Sequence, residues 1–403
     1  MKSNNHHLRF AFMLAMFSGL GSFTFDMYLP SFPQMMKFFG TTASTIQVSL
    51  TASLLGLALG QITMGALSDV HGRRKPLIIA MVIYCLSSFG CAIAPNIGIF
   101  IALRFVQGFA VSAGTISAAI ARDTYNGTEL TKFFSLISVM SSVAPLLAPL
   151  AGSAVIMFTK WEGVFYLLGI LGFILSITTI WRLKESFPAE KRIRSNFGEM
   201  FGNFKTLLCN RVFMGYVLAQ GFMLGGIFAY VAGTPFVYQK IYGVSPQVFS
   251  MLFALNGIVL ITASQVVRKL AGRIPEHRIL HFGLGMSFVA TITVLAVVLA
   301  HGPLFALVIP LVGYVASMGT IGPVAFTLAM EAQGHIAGSA SALLGVIPFL
   351  LGCVTSPLVG IAGEYSAVPL GVILLTASLF AIGCYTLLTG KGRMRPVPTT
   401  ESL

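Results

Sequence analysis

The chain has 403 residues, of which 56% are apolar and only 9% charged, with a formal net charge of +13. A soluble globular chain carries about 25% charged residues, so this composition excludes an ordinary soluble domain. The five cysteines (Cys85, Cys91, Cys209, Cys353 and Cys384) are odd in number and scattered, which excludes a disulfide framework and a metal-ligand spacing.

A membrane-crossing helix needs about 20 predominantly apolar residues. Twelve such runs are predicted in chain order, at 9–31, 45–67, 76–95, 98–121, 132–156, 163–182, 211–236, 246–268, 279–300, 303–329, 337–361 and 367–389. The fold class predicted is therefore an all-α membrane protein with twelve transmembrane helices. The first run is too long for a signal peptide, ends in Pro30 and Pro33 and shows no small-residue cleavage site, so it reads as a retained helix. With the N-terminus inside, only Lys37, Lys160 and Lys240 of the 25 basic residues fall outside, and only Arg104 falls within a span. That asymmetry is the positive-inside pattern. It assigns the basic charge to orientation and anionic headgroups, with the bilayer and not nucleic acid as partner.

The first span carries an aspartate, Asp26, in "FTFDMYLPSFP" (23–33); the other eleven acidic residues fall in loops or at helix ends. A charge at membrane depth costs at least ~2.5–3.5 kcal/mol and commonly marks a proton or ion route; anchoring of the first helix to a neighbour is the structural alternative. After the second span, "GALSDVHGRRKP" (65–76) makes a charged turn in which Gly65 and Gly72 allow close approach and a tight turn. Asp69 lies where the second helix leaves the membrane, and Arg73 and Arg74 are held inside. In the fourth span, Arg104 of "ALRFVQGF" lies about 12 Å from the outer end and Asp26 about 10 Å from its own. The matching depths predict that the two pair or share a water network if their helices face each other; the alternative for Arg104 is a donor to backbone carbonyls.

The fifth span holds "APLLAPLAGS" (144–153) and the eleventh "VIPFLLGCVTSPLVG" (346–360), both read as proline-broken and rich in small residues. Paired interruptions of this kind in two halves point to a transporter built from repeats. Between the halves lies a polar stretch, 183–211, with capping-box spacing at Asn196 and Glu199. There Phe197, Met200, Phe201, Phe204 and Leu208 recur at helical period, predicting a helix along the inner membrane surface. The organisation expected is a first bundle at 1–182, a linker with this helix at 183–210, a second bundle at 211–390 and a cytoplasmic tail at 391–403. Asn126-Gly127-Thr128 matches a glycosylation acceptor but falls in an inner loop, so it reads as chance.

The spacing G-x-L-x-D-x-x-G-R-R-K-P resembles the signature loop of the major facilitator superfamily, and "LRFVQG" its fourth-helix arginine motif. "APLLAPLAGS" resembles the fifth-helix motif of proton-linked antiporters, with Ala144, Ala148 and Ser153 where glycines are usual. "DMYLPSFP", "RDTY" (122–125), "FVYQ" (236–239) and "GSASALLG" (338–345) narrow the resemblance to the bicyclomycin and chloramphenicol resistance branch of twelve-helix drug/proton antiporters. The resemblance implies two six-helix bundles rocking about a central cavity, the inner membrane of a cell as location, cytoplasmic termini and a monomer. It implies export of amphipathic small molecules in exchange for protons, with no cofactor beyond the proton gradient. Asp26 then falls on the proton-titrating carboxylate and Arg104 on the motif arginine. Gly65, Asp69, Gly72, Arg73 and Arg74 fall on an inner gate that would pair with charges near Arg122 and Asp123 and with the start of the eleventh helix. Pro145, Pro149 and Gly152 fall on the antiporter motif.

For substrate contact, Asp26, Tyr28, Gln107, Tyr230 and Asn256 are the deep polar or aromatic candidates, flanked by many Phe and Met suited to varied apolar compounds. Packing or interhelical hydrogen bonding is the other reading of these residues. Proton-linked transport of a cell metabolite or amino acid is the second function. An enzyme is disfavoured: the seven histidines lie near loops, no H-E-x-x-H occurs, no second buried acid partners Asp26, and no G-K-[ST] loop supports ATP hydrolysis.

Overall fold

The computed structural model describes residues 2–187, 197–331, 333 and 336–390, with the side chains of 2–11, 66, 197–201 and 337 left outside the description. The capping pair Asn196 and Glu199, the side chains of Phe197, Met200 and Phe201, and the tail 391–403 lie outside it. Among the described residues the regular structure is entirely helical.

The first half comprises α1 (Lys2–Asp26), α2 (Phe32–Phe39), α3 (Ala43–His71), α4 (Arg74–Ala92), α5 (Ile97–Val111), α6 (Gly114–Thr124), α7 (Gly127–Phe158) and α8 (Glu162–Arg182). After α9 (Phe197–Cys209), the second half comprises α10 (Arg211–Phe236), α11 (Pro246–Leu270), α12 (Glu276–Leu299), α13 (Leu304–Met330), α14 (Ala337–Leu358) and α15 (Val368–Thr389). Twelve stretches are long and apolar enough to cross a membrane; α1 with α2 and α5 with α6 each make one of them. Below, the end at which α1 begins and α15 finishes is the proximal end, and the opposite end is the far end.

Helix starts follow local chemistry. The side chains of Thr42, Asn96, Asn210 and Ser245 each accept a hydrogen bond from the backbone N–H three residues on, at the starts of α3, α5, α10 and α11. The first span does not stop at Pro33 as the sequence suggested. Pro33 sits in the first turn of α2, where its missing N–H is no loss, and the chain stays helical to Phe39.

The breaks fall elsewhere than the prolines suggested. α7 runs unbroken through Pro145 and Pro149, and α14 through Pro348 and Pro357. Neighbouring helices and local adjustment satisfy the backbone groups that proline frees in a membrane. The interruptions lie instead at Met27–Ser31, between α5 and α6, and in a π-helical turn at Val237–Ile241 after α10.

Within the first half, α3 and α5 approach closely through glycines. A Cβ on Gly56 would collide with the carbonyl of Phe105, and one on Gly108 with that of Ser53. Small residues at helix crossings are the usual membrane solution, since lipid offers no hydrophobic drive between helices. The linker helix α9 turns a different face inward than predicted. Leu207 is fully buried and packs with Phe204 against Phe213, Val217 and Leu344, while Leu208 is half-exposed. The helix therefore docks under the second half by its Phe204–Leu207 edge.

The two halves meet along α3 with α14 and α7 with α11. Hydrogen bonds joining one half to the other gather toward the far end, where the Cys353 thiol donates to the Thr51 carbonyl at 3.5 Å and four shorter bonds lie nearby. Ser44 donates to the Pro357 carbonyl at 2.9 Å, Gln47 to that of Ala232 at 3.1 Å, Gln239 to that of Pro30 at 3.1 Å and Ser250 to that of Pro149 at 2.9 Å. The far end is closed in this conformation.

Candidate functional site

Asp26 is the last residue of α1, at the first interruption. It borders a cavity of 440 Å³ between the halves, which Phe228 and Phe349 close from the second half. The face of α1 turned to it carries Phe17, Ser18, Gly21, Ser22, Phe25 and Asp26, one stripe at helical period. Toward the proximal end the walls add Gln61, Ser112, Thr115, Phe134 and Ser141. The cavity is thus apolar with scattered hydroxyls and a single acid. Asp26 is partly accessible there, and among the described residues its carboxylate makes no hydrogen bond or ion pair.

Arg104 does not pair with Asp26. Fully buried, its guanidinium donates to the Thr24 carbonyl at 3.0 Å, donates to the side-chain oxygen of Gln107 and stacks over the Tyr28 ring at 4.2 Å. The depth reading was sound and the azimuth was not. Thr24 and Tyr28 are four residues apart and share one face; Asp26, two residues from each, lies about 200° around the axis. Arg104 holds a carbonyl of the last turn of α1, one of those a helix end leaves unpaired, and supplies the positive charge favoured there. The alternative foreseen for it, a donor to backbone carbonyls, is the arrangement observed.

The four other substrate candidates sit away from the cavity for related reasons. Tyr28 is buried against Phe32, Phe165 and Arg104, its hydroxyl 3.2 Å from Ser49 Oγ. Gln107 is buried and spends both ends of its amide on Arg104 and on Ser88 Oγ, the latter at 2.7 Å. Tyr230 accepts from Asn256 Nδ2 at 2.8 Å and stacks on Phe253 with ring centroids 5.8 Å apart, both residues buried. In this conformation Asp26 alone of the five substrate candidates borders the cavity.

The fifth-helix motif meets the same region from behind. A Cβ on Gly152 would overlap the carbonyl of Met27, so α7 lies against the interruption beside Asp26 with no room for a side chain. Pro149 offers its carbonyl to Ser250 across the halves. Pro145 lies one turn earlier within α7.

At the proximal end the charged turn forms a lock inside the first half. Arg73 Nη1 reaches Asp69 at 2.5 Å and Ser68 at 2.7 Å, and its Nε reaches Asp123 at 3.0 Å. Gly72 takes φ +87°, a conformation that suits glycine. The close approach expected at Gly65 is absent, since a Cβ there would meet open space. Nor does the start of α14 join this cluster among the described residues. Arg122 turns away to lie 5.6 Å from the Phe134 ring, and Arg74 donates to the Ile180 carbonyl at 2.8 Å.

Sequence reasoning missed Glu185 and Phe187. The Glu185 carboxylate accepts from the backbone N–H groups of Arg73 and Arg74 at 2.8 and 3.3 Å, capping α4, and the Phe187 ring lies 4.5 Å from the Arg73 guanidinium. An acid at a helix N-terminus is favourable, but a sequence separation of 112 residues hides the pairing.

Comparison with known proteins agrees with this architecture. The pattern of the Major Facilitator Superfamily matches residues 11–357. The chain is 48% identical over 380 residues to the "Uncharacterized MFS-type transporter YdgK" of Bacillus subtilis (strain 168), covering 94% of each. It is 30% identical over 409 residues to the chloramphenicol resistance protein of Pseudomonas aeruginosa (97% and 94% covered), and 28% identical over 383 residues to the bicyclomycin resistance protein homolog of Haemophilus influenzae (95% and 96%). The fold superposes on the crystal structure of a bacterial homolog of the human lysosomal transporter Spinster with TM-score 0.75, at 15% identity, covering 97% of this chain and 99% of that one. It also superposes on a D-xylose–proton symporter with TM-score 0.71, at 18% identity, covering 92% and 97%. With twelve membrane-crossing stretches, two packed halves and a cavity between them, the chain belongs to the major facilitator superfamily and is a multi-pass membrane transport protein, not an enzyme.

Proposed function

We propose that the protein exports amphipathic small molecules, of the kind that bicyclomycin and chloramphenicol represent, in exchange for protons. The observation that carries this reading is Asp26, the one acidic side chain among those bordering the cavity. Alternating access supplies the coupling: protonated Asp26 favours one orientation of the halves and bound substrate the other, and linkage makes the effect reciprocal. The charge asymmetry of the sequence supports a cytoplasmic proximal end, so the present conformation takes substrate from inside, and the inner membrane is the location that fits. Phe17, Phe25, Phe134, Phe228 and Phe349 around the cavity suit apolar rings, while the few hydroxyls suit scattered polar groups.

The closed far end also supports two states. Gln47 Oε1, Thr51 Oγ1 and Ser356 Oγ are buried without a partner, in the ends of α3 and α14 that meet there. Each such atom costs about 1–3 kcal/mol, a penalty that water would relieve once the far end opened.

Everted membrane vesicles with an imposed proton gradient test the reading. Asp26→Asn is expected to abolish gradient-driven accumulation of radiolabelled chloramphenicol while leaving its binding measurable. Accumulation at the parental rate by that variant would refute the coupling role.

A further inference from the structure

The turn after α11 repeats the turn after α3 with the charge reversed. Asp69-x-x-Gly72-Arg73 corresponds to Lys269-x-x-Gly272-Arg273, and both glycines hold positive φ, +87° and +75°. In the first half the aspartate locks the arginine. In the second half a lysine stands in its place, Arg268 and Arg278 flank it, and Glu276 is the one acid of the segment. All four basic side chains are exposed, and among the described residues none makes an ion pair. Four exposed cations at a membrane end, with no ion-pair partner among the described residues, favour anionic headgroups.

The neighbouring surface has a shape to match. α11 and α12 each pack along α13 but barely meet each other. The gap is an apolar groove of 560 Å³ walled by Val266, Leu270, Phe282 and Met286, with the small residues Ala316 and Thr320 of α13 at its back. Arg278 borders the same groove at its proximal end. Both requirements of a phospholipid, a channel for hydrocarbon and a cationic end for phosphate, therefore meet at one place.

We propose that the α11–α12 groove is a binding site for an anionic phospholipid. One acyl chain lies between Val266 and Phe282, and the headgroup phosphate lies at Arg278, with Lys269 and Arg273 alongside. Basic pockets between transmembrane helices favour anionic headgroups in this way, each cation contributing modestly. The inference stands apart from the transport cycle and from the identity of the substrate.

Native mass spectrometry of the full chain, released from micelles holding equimolar phosphatidylglycerol and phosphatidylcholine, tests it. The parent is expected to retain phosphatidylglycerol in preference. Arg278→Gln combined with Lys269→Gln is expected to lower that preference by at least about tenfold. Lys132→Gln, which removes a proximal cation away from the groove, is expected to leave it unchanged. Thr262→Trp, an exposed groove position, is expected to displace the lipid without altering charge. Equal retention of the two lipids by the parent, an unaltered preference in the double variant or in Thr262→Trp, or an equal loss in Lys132→Gln would overturn the proposal.

Discussion

The contact between Gly152 and the Met27 carbonyl yields the sharpest structural prediction. Any side chain at position 152 drives α7 away from the interruption that carries Asp26, because the first atom it adds already overlaps backbone. Backbone cannot rotate aside as a flexible side chain can, so the helices must separate. Overpacking of this kind costs about 1–3 kcal/mol, and Gly152→Ala is placed in that range with Gly152→Val at or above its top. Equilibrium unfolding in mixed micelles reads the loss of stability, and a resistance assay in a strain deleted of other exporters reads transport. Since Met27 adjoins Asp26, activity is expected to fall further than stability alone accounts for. Two results would refute the reasoning: a Gly152→Ala protein as stable and as active as the parent, or one in which Gly19→Ala, whose Cβ has ordinary contact distance to Ala144, is equally harmful.

Arg104→Lys is expected to destabilise by about 1–3 kcal/mol, because one ammonium cannot serve the Thr24 carbonyl and Gln107 in the fixed fork of a guanidinium; thermal unfolding measures it, and Arg104→Gln should cost no less. Removing the far-end hydrogen bonds with Gln47→Ala and Ser250→Ala is expected to release about 1 kcal/mol each. Spin labels at Lys37 and Ile361 should then show a population at longer separation by double electron–electron resonance, and an unchanged distance distribution would refute the seam's role.

The twelve membrane-crossing stretches were legible because hydrocarbon imposes a length and a polarity on every span, and both are local properties of the chain. The acid in the first span was legible for the same reason: one carboxylate among apolar residues stands out without any knowledge of neighbours. The signature turn was equally open to reading, and its Asp69–Arg73 contact spans a single helical turn.

What the tertiary structure decided is azimuth and partnership. Depth counted along two helices put Asp26 and Arg104 at one level, but which way each side chain faces depends on how the helices cross, and Arg104 takes the Thr24–Tyr28 face while Asp26 takes the cavity. Tyr28, Gln107, Tyr230 and Asn256 were chosen for polarity, yet each finds a hydrogen-bond partner inside its own half, and composition cannot tell such packing from a place in the cavity wall. The capping of α4 by Glu185, the fit of Gly152 on Met27 and the groove between α11 and α12 all join residues far apart in sequence. Their energies come from distances of a few ångströms that only the packed helices set.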